Sequence, residues 1–206
     1  MIKPAKLYLI RHAPVKKLKG YFPKVNPNAI INHYKLKRLA SLIPENCVWY
    51  ISPLKRTIQT ANALSNYVNY SKLIFENKLV EQNFGIWSGK KISEIWKILK
   101  KNKEKHNFSF IPPNFIPPNG ESFIEQLKRV GVWLKELKYS QGQNIVVISH
   151  AGTIRSIIAS ALNINPDYVI GIEISYQSLS IFEMLVNHDN IYRGGKFRLI
   201  TLNKTI

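Results

Sequence analysis

Short apolar runs alternate with stretches of helical periodicity along the chain. Lys6-Leu7-Tyr8-Leu9-Ile10 and Val48-Trp49-Tyr50-Ile51 read as strands, with Leu73-Ile74-Phe75 a shorter candidate. Asn144-Ile145-Val146-Val147-Ile148 has the β-branched apolar run of a strand buried on both faces. Two later strands are expected over Leu179–Leu185 and Phe197–Thr201. Between them, Leu54, Ile58 and Ala61, then Ile92, Ile95, Trp96 and Leu99, recur at helical spacing. Phe123, Leu127, Val130, Leu134 and Leu137 form the longest apolar stripe, and Ile154, Ile157, Ile158, Ala161 and Leu162 a compact one. These stripes read as core. Strands alternating with helices predict an α/β fold, a three-layer α/β/α sandwich around a mostly parallel central sheet.

Two stretches break the alternation. Residues 13–35 carry Pro14, Gly20, Pro23 and Pro27 with little periodicity, which predicts a long loop after the first strand. A basic run, Lys100-Lys101-Asn102-Lys103-Glu104-Lys105, precedes a small tandem repeat of Ile111-Pro112-Pro113-Asn114 and Ile116-Pro117-Pro118-Asn119. Proline pairs make stiff extended connections, and long loops in a compact domain are often lids or binding loops. The 206 residues are therefore read as a single domain, 1–206, with a loop or lid insertion around 100–122. An ordered surface connection is the plainer alternative for that insertion.

Composition narrows the class. At 45% hydrophobic the chain can bury a core, which excludes disordered and collagen-like classes. One cysteine, Cys47, leaves no internal disulfide and no cysteine zinc cluster. The amino-terminal residues carry no small-residue cleavage site and no apolar run long enough to span a bilayer. A cytoplasmic protein with no membrane partner is expected. Thirty basic residues against twelve acidic ones give a net charge of +18, which suits an anionic partner or simply a lysine-rich solvated surface.

Three constellations carry candidate chemistry. Arg11-His12-Ala13-Pro14 follows the first strand, and Ser149-His150-Ala151-Gly152-Thr153 follows the buried one. Open α/β sheets bind ligands at the carboxyl ends of their strands, so two strand-end histidines in one sheet outweigh a single structural one. Arginine offers a planar fork for phosphate oxygens, and the backbone N–H groups of Ala151 and Gly152 open a helix where an anion could sit. In Ile51-Ser52-Pro53-Leu54-Lys55-Arg56, Ser52 reads as a helix N-cap and Pro53 as the first helical residue. Arg56, a surface arginine if taken alone, then falls near the end of the preceding strand as a second phosphate clamp. Glu81, at the start of Glu81-Gln82-Asn83-Phe84-Gly85-Ile86-Trp87-Ser88-Gly89, is the best-placed proton donor.

Phosphoryl transfer needs a nucleophile, cations for the equatorial oxygens and an acid for the leaving oxygen. Neutral imidazole is a competent nucleophile, and a covalent intermediate divides hydrolysis into two easier steps. An arginine about 4 Å from a phosphate charge contributes on the order of 4 kcal/mol at an effective dielectric of about 20. Several such groups can act without a metal, and no metal or other cofactor is expected. The chain has no Gly-x-Ser-x-Gly elbow, Walker loop or dinucleotide-binding glycine fingerprint. His33, His106 and His188 have no metal-ligand spacing and read as surface or loop residues.

In order, LYLIRHAPV, SPLKRTIQTA, LVEQNFGIWSG and VVISHAGTIR resemble the motifs of the histidine phosphatase (phosphoglycerate mutase-like) superfamily, from residue 7 to residue 155. EQNFGIWSG and the later PPNGESF resemble its α-ribazole phosphatase-like branch. The resemblance implies a phosphoglycerate mutase-like fold and a phosphohistidine intermediate. His12 is then the phosphate acceptor, Arg11, Arg56 and His150 belong to the phosphate pocket, and Glu81 is the proton donor. Ala13 replaces the usual glycine, and Lys17-Leu18 stands where a Trp-Asn pair is usual, so one asparagine contact to phosphate is lost or comes from elsewhere.

The sequence thus points to a metal-independent phosphomonoesterase acting on a small phosphorylated metabolite, with α-ribazole 5′-phosphate a candidate. A phosphatase or mutase of sugar or glycolytic phosphates, or a phosphohistidine protein phosphatase, would use the same pocket. A basic nucleic-acid-binding module is the reading from another class. It rests on charge alone, since the lysines lack aromatic interleaving. The sequence leaves open whether the chain is a monomer or a homodimer.

Overall fold

The computed structural model describes residues 3–16, 18–100, 105–186 and 193–206. Six strands form one sheet: β1 (Ala5–Arg11), β2 (Cys47–Ile51), β3 (Tyr70–Phe75), β4 (Asn144–Ser149), β5 (Leu179–Met184) and β6 (Phe197–Lys204), ordered β3-β2-β4-β1-β5-β6. The pairings β3·β2, β2·β4 and β4·β1 are parallel, whereas β5 runs antiparallel to both β1 and β6. The sheet is therefore mixed and mostly parallel, as expected, with four parallel strands from the β3 edge to β1 and the antiparallel pairings on the other side.

The period-two geometry of β1 and β4 divides the apolar runs between two layers. Leu7, Leu9, Ile145 and Val147 pack against α4 (Phe123–Glu136) and α5 (Ala151–Leu162). Tyr8, Ile10, Val146 and Ile148 face the other way, onto α1 (His33–Ala40) and α2 (Lys55–Leu64). This gives the three layers that the alternating pattern predicts.

Helix starts depart from the sequence reading in two places. Residues 13–35 are irregular only as far as α1, whose N-cap Asn32 accepts from the Lys35 N–H through its side chain. The α2 helix begins at Lys55 with Leu54 as N-cap, so Ser52 is not the cap and Pro53 lies before the helix. The Ser52 side chain is directed instead at His150. Two further helices, α3 (Ile92–Leu99) and α6 (Pro166–Val169), and two single 3₁₀ turns at Asn77–Leu79 and Gly85–Trp87 complete the elements among the described residues. The basic run at 100–105 and His188 fall largely or wholly outside the described residues.

The proline-rich stretch is packed against the loops at the carboxyl ends of the strands. Ile111 joins Phe22, Trp87, Ile95 and Leu99 in a third apolar cluster, and Phe115 stacks on Trp87 with ring centroids 5.4 Å apart. Its far end is stitched to the loop that carries Glu81. Ile86 N–H donates to the Pro118 carbonyl (3.1 Å) and Glu121 N–H to the Asn83 carbonyl (2.8 Å). Arg129 of α4 pairs with the Glu121 carboxylate at 2.6 Å.

This stitching requires a glycine at position 85, where φ is +53° and an added Cβ would lie 2.0 Å from the Pro118 carbonyl oxygen. Gly85→Ala should lower stability in urea by about 2–4 kcal/mol, combining overpacking with left-handed strain. Gly20→Ala, at φ +81° with open space around it, should cost only about 1–2 kcal/mol. Equal losses at the two positions would contradict the close approach.

Candidate active site

The parallel strands β1 and β4 end side by side, Arg11 opposite Ser149, so the residues that follow each strand are brought together by register. The His12 N–H donates to the Ser149 carbonyl at 2.9 Å. The His12 and His150 rings then meet edge to face with centroids 5.0 Å apart. Both are buried, at 4% and 0% exposed.

The hydrogen bonds of His12 define its tautomer. Nδ1 lies 2.7 Å from the Ala13 carbonyl oxygen, which can only accept, so Nδ1 carries the proton. Nε2 keeps its lone pair and accepts from Arg56 Nε at 3.2 Å. Ala13 is itself held, its N–H donating to Thr60 Oγ1 of α2 at 2.9 Å. Arg56, expected beside the strand ends as a second phosphate clamp, is 7% exposed and also donates to the Val25 carbonyl at 3.0 Å. The long loop after β1 thus helps to aim this arginine.

Arg11 donates through Nη1 to the Ile174 carbonyl at 2.5 Å, and its guanidinium lies over the Tyr176 ring, 3.6 Å from the centroid. Arg11 Nε and His150 Nδ1 are buried without a hydrogen-bond partner among the described residues. These two nitrogens, next to the buried Arg56 guanidinium, form a strongly anion-seeking corner. Burial lowers the pKa of both arginines from the ordinary guanidinium value, but guanidinium groups remain cations in proteins. His150 is pushed well below the usual histidine range, first by burial and then by the charges of nearby arginines, Arg56 foremost. It is neutral at pH 7, with Nε2 2.8 Å from Ser52 Oγ.

Glu81 faces these groups from the loop after the first 3₁₀ turn. Ser149 Oγ donates to the Leu79 carbonyl (2.7 Å) and Thr153 Oγ1 to that of Val80 (3.0 Å), fixing the backbone before it. Glu81 Oε1 accepts from the Gln82 N–H and from Gln126 Nε2, both at 3.1 Å, and Oε2 from the Gly152 N–H at 3.4 Å. The helix-start N–H of Gly152, expected to face a bound anion, therefore faces the glutamate.

Arg11, His12, Arg56, Glu81 and Tyr176 line one cavity of about 390 Å³, with Pro23, Val25, Leu54 and Phe84 among its apolar walls. Ala151 and Gly152 line a smaller neighbouring cavity of about 170 Å³, which shares Glu81. His150 lies behind His12 and lines neither. Among the described residues no group of His, Cys, Asp and Glu could hold a metal.

Sequence reasoning missed three contributors. Gln126 is fully buried on α4, Tyr176 lies in a turn before β5, and Ser52 serves His150 rather than a helix end. The proximity of Gln126 to Glu81 is created only by the fold.

A model of the histidine phosphatase superfamily, branch 1, matches residues 7–194. The chain belongs to this superfamily. Its relatives include a candidate phosphoserine phosphatase of Hydrogenobacter thermophilus, 28% identical over 206 residues and spanning 97% of this chain and 95% of that one. Phosphoserine phosphatase 1 of the same bacterium is 28% identical over 178 residues, 78% of this chain and 77% of its own. Among solved structures, mycobacterial glucosyl-3-phosphoglycerate phosphatase superposes with a TM-score of 0.78 at 16% identity, covering 97% of this chain and 99% of that one. A candidate α-ribazole-5′-P phosphatase of Escherichia coli superposes with a TM-score of 0.75 at 19% identity, covering 98% and 97%. These likenesses establish the fold, and the family establishes phosphoric monoester hydrolysis as its chemistry.

Two outcomes follow from the packing. A Cβ on Gly152 would lie 2.4 Å from Glu81 Oε1 and 2.8 Å from Gln126 Oε1, so Gly152→Ala must displace the carboxylate. Turnover should fall at least about tenfold while the melting temperature changes by only a few degrees. The depressed pKa of His150 also makes stability pH-dependent. Below its ordinary value of 6.5 the unfolded chain binds a proton that the folded chain refuses, so stability present at higher pH is lost on acidification. The urea midpoint should drop between about pH 8 and about pH 5.5, and His150→Asn should flatten that drop.

Proposed function

We propose that the protein is a metal-independent phosphomonoesterase that works through phosphorylated His12. The observation that carries this reading is the pair of His12 contacts: Nδ1 lies 2.7 Å from the Ala13 carbonyl oxygen, which assigns the proton to Nδ1 and makes Nε2 the nucleophile, and Arg56 Nε lies 3.2 Å from Nε2. Arg56 and Arg11 bind the nonbridging oxygens of the phosphoryl group as Nε2 attacks phosphorus. For His150 to help them, Ser52 donates to its Nε2 and Nδ1 carries the proton toward the anion.

The P–O bond to the leaving group breaks as the new P–N bond forms. Glu81, protonated for this step, gives its proton to the leaving oxygen. The resulting carboxylate then takes a proton from water as the water attacks the phosphohistidine, which releases inorganic phosphate and restores both groups. The contacts from Gln126, Gln82 and Gly152 hold one oxygen geometry through both proton transfers.

A cavity of about 390 Å³ suits a small metabolite. Its apolar walls at Pro23, Val25, Leu54 and Phe84 favour a leaving group with an apolar face, and α-ribazole 5′-phosphate fits that description. A second reading, a small phosphorylated acid such as phosphoserine, is supported by the names of the two Hydrogenobacter relatives. A cytoplasmic location suits either substrate, and no described helix is long and apolar enough to cross a membrane.

His12→Ala should abolish hydrolysis of an aryl phosphate, and EDTA should leave the wild-type rate unchanged. Glu81→Gln should slow alkyl phosphates by at least about 100-fold and aryl phosphates far less, because a good leaving group needs little protonation. Wild-type rates in the His12 variant would overturn the mechanism. Rates on α-ribazole 5′-phosphate, phosphoserine, phosphoglycerates, sugar phosphates and phosphohistidine peptides would decide among substrates.

A further inference from the structure

Tyr176 reaches the reaction centre from a turn that no motif marks. That turn is held from several sides. Gln177 N–H donates to the Arg11 carbonyl (3.1 Å), Arg11 N–H to the Ser178 carbonyl (3.3 Å), and Ser175 N–H to Asn203 Oδ1 of β6 (2.6 Å). Gln177 adopts φ +57°, which reverses the chain just before β5. The ring is thereby placed flat against the Arg11 guanidinium, 3.6 Å from centroid to carbon, and edge-on to His12 with ring centroids 5.5 Å apart. It lines the same cavity as Arg11, His12, Arg56 and Glu81, within electrostatic reach of both guanidiniums.

The donors already assigned to that cavity are partly committed. Arg11 Nη1 is used by Ile174, Arg56 Nη1 by Val25, and Arg56 Nε by His12. A phosphoryl group offers three nonbridging oxygens, each able to accept more than one hydrogen bond. Stacking on Arg11 needs only an aromatic ring. A phenol adds an O–H to the lining of that cavity.

Building on the phosphohistidine reading, we propose that Tyr176 is a further phosphate-binding residue whose hydroxyl donates to a nonbridging phosphoryl oxygen while its ring holds Arg11 in plane. The hydroxyl donates both to the incoming phosphoester and to the phosphoryl group carried on His12.

The test separates hydroxyl from ring. Tyr176→Phe keeps the stacking on Arg11 and removes only the donor. Inorganic phosphate should bind it about tenfold more weakly in calorimetry, and kcat/KM for an aryl phosphate should fall by about tenfold or more, with the melting temperature within a degree or two of wild type. Tyr176→Leu, which also loses the ring, should fall further. Wild-type phosphate affinity and kcat/KM in Tyr176→Phe would overturn the proposal, even if Tyr176→Leu is impaired, because the ring alone would then suffice. If the wild-type protein itself hydrolyses no phosphoester, the phosphohistidine reading fails instead. Calorimetry does not depend on turnover, so it still reports on the hydroxyl in that case.

Discussion

An imidazole among arginines can attack phosphorus only if one nitrogen stays unprotonated and faces the substrate. In this chain that condition is met by a single short contact, Nδ1 of His12 to the carbonyl of its own neighbour, Ala13. The carbonyl fixes the proton on Nδ1, and Nε2 accepts from the Arg56 guanidinium beside it. Everything else in the site either holds that arrangement or supplies charge and protons around it. Thr60 anchors Ala13, Val25 anchors Arg56 and Ile174 anchors Arg11. Each anchor belongs to a different segment, which explains why the fold must be complete before the chemistry exists.

The Glu81 carboxylate depends on a separate set of contacts. Ser149 and Thr153 grip the carbonyls before Glu81, while Gln126 and Gly152 grip its carboxylate. Two of these four residues follow β4 immediately, and Ser149 is its last residue. One strand end thus positions His150 behind His12 and also the Glu81 carboxylate. Beyond Glu81 the stitching at Asn83, Gly85, Pro118 and Glu121 ties the proline-rich segment to the same loop. Packing of that segment and placement of the Glu81 loop are physically coupled.

Much of this was legible in one sequence. The buried run at Asn144–Ile148 and the histidines after two strands located the site because a parallel sheet collects its strand ends on one side. Other features were hidden for identifiable reasons. The α1 helix escaped notice because only Leu36, Leu39 and Ala40 of its eight residues are buried among lysines and polar groups. Ser52 and Pro53 have the residue types of a helix start, yet the serine hydroxyl is directed at His150, 98 residues away. Gln126 lies within an apolar stripe, and its partner Glu81 is 45 residues distant. Local patterns cannot report contacts made by register and layer packing. Tyr176 was hidden for the same reason, as a turn residue made important by the strand beside it.

The nitrogen that carries the phosphoryl group tests the central claim most directly. Rapid quenching of the enzyme with a phosphoester substrate, followed by nitrogen-edited NMR of the denatured, base-stable intermediate, reads which imidazole atom is bonded to phosphorus. The account predicts an Nε2 phosphoramidate at His12. A phosphoryl group on Nδ1 of His12, on another residue, or on no residue during active turnover would contradict it.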